Sequence, residues 1–235
     1  MLLENTPRPA WLTFDCYGTL IQWDEGLLAA IGRIFERHGH REVDPRTLIA
    51  IYDRYEHALE QKEPVLSFRD VAAGALRAAM RELGLRSSPG DLELLLGSIS
   101  AMPPFPEVPD ALASLARAGF RLCVISNTDD DVISGNIAQL GGSIDRVVTA
   151  QQARAYKPSR RIFEHAHGLL GVTRGEVVHI CASPHLDHAA ARDLGFRCIW
   201  IDRGTGRTLL PDYTPDAIFP TLADVPSCFA KLGWL

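Results

Sequence analysis

Five short apolar runs, each followed by a polar turn, constrain the fold of this chain more than any other feature. They are rich in β-branched residues and only four to six residues long, which is typical of buried strands in a parallel sheet. Helix-like segments lie between them, and several end at a glycine, as helices with a left-handed cap do. The alternation predicts an α/β fold with a doubly wound, parallel-sheet core of the Rossmann-like kind. The runs are 11–14, 120–125, 146–149, 177–181 and 198–201.

A gap of about a hundred residues separates the first run from the second. Most of this gap carries apolar residues at helical spacing, which predicts an inserted helical cap domain. Such an insertion follows the carboxyl end of the first strand, where open α/β sheets bind their ligands. We therefore predict a core domain formed by 1–20 and 104–235, and a cap domain over 21–103. The four predicted cap helices are 25–38, 45–60, 67–83 and 89–99.

Charge and composition narrow the class of partner. The chain has 24 Lys and Arg against 29 Asp and Glu, a net charge of −5, so it lacks the basic excess of nucleic-acid binders. No apolar stretch reaches the roughly 18 residues that a membrane helix needs, and the first residues lack the order of a secretion signal. The five cysteines are an odd number, which favours free thiols in a reducing compartment. We expect a cytoplasmic protein with a small-molecule substrate and without nucleic acid or membrane partners; a homodimer stays open.

Polar residues follow four of the predicted strands, and their chemistry points to catalysis. Asp15 follows the first strand, Ser126 and Asn127 follow the second, Lys157 comes after the third, and Asp187 follows the fourth. Because the carboxyl ends of parallel strands lie at one edge of a sheet, these side chains are expected to meet there. Taken singly, a strand-end Asp can cap a helix and a Ser-Asn pair can form a turn. Taken together, they predict a site with a carboxylate nucleophile, polar donors and a cation.

These motifs, in this order, resemble those of the haloacid dehalogenase superfamily of hydrolases. They are D-x-x-G-T from Asp15 to Thr19, Ser-Asn at 126–127, Lys157-Pro158, and the late Asp187. The resemblance covers almost the whole chain and includes the cap insertion. It implies that Asp15 is the nucleophile, that Lys157 balances its charge, and that Asp187 holds Lys157 or the hydrolytic water. Ser126, Asn127 and Thr19 would orient Asp15 and hold the substrate carboxylate.

The residue two positions after Asp15 bears on the reaction. Phosphatases of this superfamily carry a second Asp there, but this chain has Tyr17, and a phenol with an ordinary pKa near 10 is a poor acid at neutral pH. A halide leaving group needs no proton, and the string from Phe14 to Leu20 resembles that of the type II 2-haloacid dehalogenases. The resemblance implies a hydrolase of a small 2-substituted carboxylic acid that forms an aspartyl ester and needs no cofactor. The residues expected to contact its substrate are Cys16, Tyr17, Ser183 and His185.

The chain departs from that family at three places. Pro184 stands where the family has an Asn, Ile49 stands where it has an Arg that holds the halide, and Phe163 replaces a hydroxyl-bearing aromatic residue. Arg54 is the nearest substitute for the missing Arg. Tyr52, Tyr55 and Glu56, at helical spacing in the cap, are expected to pack rather than to line the pocket.

Three alternatives stay open. A Mg²⁺-dependent phosphatase of the same fold would use Asp15 and Asp187 as ligands, and Mg²⁺ would be its cofactor; otherwise the identity of any metal is unknown. The string from His185 to His188 resembles that of azetidine-2-carboxylate hydrolases, where a His could protonate an amine leaving group. The same histidines could also be polar residues at the pocket rim. Finally, a non-catalytic relative would use the cleft for binding only.

Overall fold

A six-stranded parallel sheet forms the centre of the protein. The computed structural model describes residues 2–40 and 42–235, and its strands are ordered β3-β2-β1-β4-β5-β6, every neighbouring pair parallel. This order, with helices between the strands, confirms the predicted doubly wound α/β class. The sixth strand was not predicted because it has only three residues. The strands are β1 Trp11–Phe14, β2 Arg121–Ser126, β3 Arg146–Thr149, β4 Val177–Cys181, β5 Arg197–Ile201 and β6 Ala217–Phe219.

Strand β1 lies at the middle of the sheet, between β2 and β4. Its last residue, Phe14, is in register with Val124 of β2 and Ile180 of β4. All four residues of β1 are buried, as expected for a strand covered on both faces. The loops that follow these three strands therefore leave the sheet at the same edge.

Six helices flank the sheet within the described residues of the core. Helix α8, Arg160–Leu170, ends at Gly171, and helix α9, Ala189–Leu194, ends at Gly195. Both glycines have a positive φ, which glycine adopts without the steric penalty of a side chain. One turn of π-helix, Pro184–His188, connects β4 to α9. The helices are α5 Val108–Arg117, α6 Asp130–Ala138, α7 Ala150–Ala153, α8 Arg160–Leu170, α9 Ala189–Leu194 and α10 Asp224–Lys231.

Four helices between β1 and α5 form the cap. Helix α2 packs on α3, and α1 packs on α4, with Leu27, Tyr52 and Leu76 among the fully or almost fully buried side chains. The exact division of the chain at 20/21 and 103/104 stays a prediction. The helices are α1 Trp23–His38, α2 Pro45–Glu60, α3 Phe68–Glu82 and α4 Pro89–Ser100.

The two segments that join the cap to the core run side by side. The backbone N–H of Gln22 donates to the carbonyl of Pro103 at 3.0 Å, and the N–H of Phe105 donates to the carbonyl of Leu20 at 2.9 Å. A third tie comes from Asp129, at the start of α6. Its carboxylate accepts from the first backbone N–H groups of α3, which have no partner within the helix.

The length and polarity of a helix decide whether it could cross a membrane. Over residues 2–40 and 42–235, no helix combines the length and the apolar character that a membrane crossing requires.

Candidate active site

A cavity of about 260 Å³ lies between the cap and the carboxyl ends of the strands. On the core side, the cavity is lined by the end of β2, by Lys157 and by the loops after β1, β2, β4 and β5. On the cap side, it is lined by residues of α1, α2 and α3. The sequence placed a site at this edge because parallel strands end there. Seven of the predicted site residues line the cavity: Asp15, Tyr17, Ser126, Asn127, Lys157, Ser183 and His185.

Lys157 joins the two predicted carboxylates. Its Nζ lies 2.9 Å from Asp15 Oδ1 and 2.8 Å from Asp187 Oδ1, and its side chain is fully buried. Burial lowers the pKa of Lys157, but the charges of Asp15 and Asp187 outweigh it and raise that pKa above its ordinary value. The ammonium group therefore stays charged, as a buried cation with two anionic partners does.

Asp187 has a second neighbour, His179, whose role the sequence did not reveal. His179 Nε2 lies 3.0 Å from Asp187 Oδ1, and because a carboxylate only accepts, Nε2 is the donor. Burial raises the pKa of Asp187, but Lys157 and His179 lower it more, to about 2. Its other oxygen, Oδ2, is buried and has no hydrogen-bond partner within residues 2–40 and 42–235. His179 lies within β4, where the apolar pattern of the strand hid it.

We expect the acid stability of the fold to depend on Asp187. Its pKa of about 2 lies below the value near 4 of an unfolded Asp, so its stabilising contribution is complete above pH ~4 and is lost as the pH falls through ~2. The contribution is on the order of 2 kcal/mol. Urea unfolding at a series of pH values measures the free energy of unfolding. As the pH falls, this free energy should decrease more steeply for the native chain than for Asp187→Asn. Asp212→Asn, at an exposed ion pair with Arg192, serves as the control; parallel curves for the native chain and Asp187→Asn would contradict the expectation.

Thr19 holds the carboxylate of Asp15 from below the cavity. Its hydroxyl donates to Asp15 Oδ2 at 2.6 Å and accepts from the backbone N–H of Ala182 at 2.8 Å. Asp15 thus has Lys157 on one oxygen and Thr19 on the other, which fixes the plane of its carboxylate. Thr19 is fully buried and lies outside the lining of the cavity, so its contact with the substrate carboxylate stays a prediction.

Asn127 holds the loop that carries Lys157. Its Oδ1 accepts from the backbone N–H of Lys157 at 2.6 Å, and its Nδ2 lies 3.3 Å from the carbonyl of Lys157 and 3.3 Å from Glu60 Oε1. Asn127 is therefore a positioning residue in this arrangement. Ser126 differs, because its hydroxyl is buried, has no partner and belongs to a residue that lines the cavity.

The two predicted contact residues beside Asp15 lie in different surroundings. The thiol of Cys16 is fully buried and lies outside the cavity lining, because the residue turns into the core; burial raises its pKa. Tyr17 lines the cavity with its ring, but its hydroxyl donates to Asn136 Oδ1 at 2.9 Å. Burial raises the pKa of Tyr17 well above its ordinary value, so the phenol lacks the properties of a neutral-pH acid.

The two late histidines lie in different surroundings. His185 is exposed at the cavity, next to Ser183. His188 is fully buried against Trp200 and Tyr213, and burial lowers its pKa to about 4. The π-helical turn contains both residues, with His185 at the cavity and His188 inside the core. Buried groups with metal-ligand chemistry among the described residues are Cys181, His188 and Cys198, and His179, Cys181 and Asp187.

The cap contributes acidic side chains that the sequence assigned to packing or overlooked. Glu56 was expected to pack, yet it lines the cavity together with Asp53 and Glu60, all on α2. The hydroxyl of Tyr52 donates to Glu56 Oε1 at 2.8 Å. Burial raises the pKa of Glu56 to about 8, and burial together with Glu56 raises the pKa of Glu60.

The substitute proposed for the missing halide-binding Arg is not in the cavity. Arg54 is 59% exposed and pairs with Glu82 at 2.6 Å, whereas Ile49 does line the cavity. A different cation, Arg207, lines it from the loop after β5. Its guanidinium lies near Gly18, where a Cβ would come within 3.4 Å of it, and 3.3 Å from Asp24.

Known proteins resemble this chain in sequence and in fold. The sequence profile of the haloacid dehalogenase-like hydrolases matches residues 10–195. The chain belongs to this family. The match includes Asp15, Lys157 and Asp187, and it confirms the resemblance stated from the motifs. Hydrolase chemistry is therefore assigned to this member of the haloacid dehalogenase-like hydrolases.

Relatives and solved structures of the family refine the likeness. The chain is 27% identical over 201 residues to an (S)-2-haloacid dehalogenase of Pseudomonas sp. strain YL, covering 82% of each chain. It is 28% identical over 202 residues to (S)-2-haloacid dehalogenase 4A of Burkholderia cepacia, covering 81% of each. The fold is also that of the L-2-haloacid dehalogenase of Xanthobacter autotrophicus with chloropropionic acid covalently bound. That match has a TM-score of 0.79 and 20% identity, and it covers 95% of this chain and 98% of the other.

Proposed function

We propose that this protein hydrolyses a small 2-substituted carboxylic acid, with a halide as the leaving group and Asp15 as the nucleophile. The observation that carries the proposal is the Asp15 carboxylate at the cavity, with one oxygen held by Lys157 and the other by Thr19. The relatives named as 2-haloacid dehalogenases support the same substrate class.

The reaction has two steps. An oxygen of Asp15 attacks C2 of the substrate, an ester bond forms, and the carbon–halogen bond breaks with its electron pair leaving as halide. Water then attacks Cγ of Asp15, and the ester cleaves at the carbonyl to give a 2-hydroxy acid and a proton. Asp15 regains its carboxylate, and Lys157 stays charged next to it through both steps.

Asp187 is suited to orient the hydrolytic water. Its Oδ2 is buried and has no hydrogen-bond partner among the described residues, so it can accept a hydrogen bond from water beside Asp15. With a pKa of about 2, it is a weak base at neutral pH, and a weak base removes little of the barrier by proton transfer. Its contribution is therefore to position the water and to hold Lys157.

The substrate carboxylate has two donors within the cavity. Ser126 offers a buried hydroxyl without a partner, and Arg207 offers a guanidinium that binds carboxylates in a planar fork. We expect Arg207→Ala to raise KM for a 2-haloacid roughly tenfold, as loss of one charge-assisted hydrogen bond does, with a smaller change in kcat. Steady-state halide release measures both constants; Arg192→Ala, at an exposed ion pair, is the control, and an unchanged KM would contradict the role.

Phosphatase chemistry is less well supported by the geometry. The Tyr17 hydroxyl, at the position of a phosphatase acid, donates to Asn136, and the two carboxylates that would bind Mg²⁺ are both held by Lys157. Ring opening of azetidine-2-carboxylate is the second candidate function, because His185 lines the cavity and a His can protonate an amine.

Labelling with heavy-oxygen water tests the proposed ester. In a single turnover with excess enzyme, we expect the label to enter the Asp15 carboxylate, because water attacks the enzyme carbonyl rather than C2. Mass spectrometry of the Asp15 peptide measures it, and an unlabelled peptide with labelled product contradicts the ester. A substrate panel of haloacetates, both 2-chloropropionates, azetidine-2-carboxylate and a phosphate ester, with and without chelator, separates the candidate functions.

A further inference from the structure

Most acidic side chains that line the active-site cavity come from the cap, whereas its lysine and arginine come from the core. The core side contributes the cations Lys157 and Arg207, whereas helix α2 of the cap contributes Asp53, Glu56 and Glu60. In total, five carboxylates and two cations line the cavity, and Lys157 already serves Asp15 and Asp187. A simple haloacid would bring no positive charge to the acidic side chains of the cap.

Glu56 and Glu60 each have a hydrogen-bond donor on one carboxylate oxygen. They are one helical turn apart on α2, so they share a face, and they are 9% and 8% exposed. Tyr52 donates to Oε1 of Glu56, and Asn127 donates to Oε1 of Glu60. Within the described residues, the second oxygen of each glutamate has no hydrogen bond or ion pair. We will call these two residues the cap glutamates.

A buried carboxyl group with a donor on only one oxygen is costly to ionise, and a neighbouring carboxyl group adds to that cost. Burial raises the pKa of both cap glutamates, to about 8 for Glu56, and the charge of Lys157 offsets this only in part for Glu60. A ligand cation would restore their charged form. Ser126 supplies an independent sign of a missing ligand. The residue is 99% buried in the wall of the same cavity, and its hydroxyl has no hydrogen-bond partner in the part of the chain that the structure describes.

We propose that the substrate is a zwitterion whose protonated amine binds the cap glutamates while its carboxylate binds Ser126 and Arg207. The reacting C2 then lies between the two ends, over Asp15. The substrate class is an amino-bearing 2-substituted carboxylic acid, with the amine several bonds from C2. This inference rests on the proposed function for the reacting end and adds the group that the cap selects.

Matched substrates separate the amine from the rest of the molecule. The pair 6-amino-2-bromohexanoate and 2-bromohexanoate has the same carbon chain and the same leaving group, and differs only at the far end. We expect kcat/KM for bromide release to be roughly tenfold to a hundredfold higher for the amino compound, as charge-assisted hydrogen bonds contribute. Enzyme-free samples correct for spontaneous cyclisation of the amine. A preference for 2-bromohexanoate overturns the inference.

Substitution of the cap glutamates tests the same contact from the protein side. Glu56→Gln and Glu60→Gln keep the size of the side chain and remove the charge, so each should lower the preference for the amino compound about tenfold. Glu63→Gln, an exposed site just beyond α2, should leave the preference unchanged. A preference that survives both cap substitutions overturns the inference.

Binding to an unreactive variant distinguishes this inference from the proposed function. On Asp15→Asn, calorimetry compares 6-amino-2-hydroxyhexanoate with 2-hydroxyhexanoate, which need no turnover. Tighter binding of the amino compound, lost in Asp15→Asn with Glu60→Gln, supports the cap contact even where no bromide is released. Turnover of 2-bromohexanoate by the native chain, with equal binding of the two hydroxy acids, overturns the cap contact and leaves the proposed function intact.

Discussion

Replacing Asp15 by Asn is expected to lower kcat by at least about four orders of magnitude, as removal of a covalent nucleophile does. The amide keeps the shape of the carboxylate and can still accept from Thr19, but it is too weak a nucleophile to displace a halide. Lys157 keeps Asp187 as an anionic partner 2.8 Å away, so the fold should survive the change. Stopped-flow and steady-state halide release measure the loss.

The control for Asp15→Asn is the same substitution at an exposed carboxylate. Asp131 is 68% exposed and pairs weakly with Arg69 at 3.5 Å, so Asp131→Asn should retain nearly full activity. Thermal unfolding of both variants checks that the chain is folded. Turnover by folded Asp15→Asn within a factor of ten of the native rate would show that another group attacks the substrate.

Replacing Lys157 by Met should damage both activity and stability. Asp15 and Asp187 would then be two buried carboxylates without their shared cation, and loss of one partner of a buried ion pair costs about 3–5 kcal/mol. For a chain of this length, that corresponds to a fall in Tm of roughly 6–20 °C. Differential scanning calorimetry measures the shift, and halide release should fall to background.

A second substitution separates charge from packing at this position. The double variant with Lys157→Met and Asp187→Asn leaves one buried carboxylate instead of two. Its loss of unfolding free energy should therefore be smaller than the sum of the losses of the two single variants. Lys62→Met, at an exposed residue after α2, should change Tm by about a degree or less, since surface substitutions have small effects. Additive losses in the double variant would mean that the charge of Lys157 contributes little to stability.

The arrangement of Asp15, Lys157 and Asp187 was predictable because it follows from topology. Residues that end neighbouring parallel strands must lie at one edge, and the registers of β1 with β2 and β4 fix how close they come. The order of the motifs along the chain was therefore enough to bring these side chains together. Placement of Thr19 beneath Asp15 required the turn after β1, which the sequence does not specify in three dimensions.

The cap glutamates and Arg207 were not predictable in the same way. Glu56 and Glu60 have helical spacing in an amphipathic helix, and such a pattern is the same whether the acidic face meets solvent or a cavity. Only the packing of α2 over the sheet decides between the two. Arg207 lies in an irregular loop, where no periodicity indicates direction. The sequence left the role of His188 open, and the structure buries this residue at the end of a π-helical turn.

The paired crossings between cap and core have an evolutionary consequence. The backbone of Gln22 is bonded to Pro103, and that of Phe105 to Leu20, so the whole insertion leaves and re-enters the core at one point. A segment with neighbouring ends can be exchanged for another without rerouting a single strand. An exchange of the cap would leave Asp15 and Lys157 in place and would change the glutamates of α2. Related proteins could then share one reaction and differ in the molecules they accept.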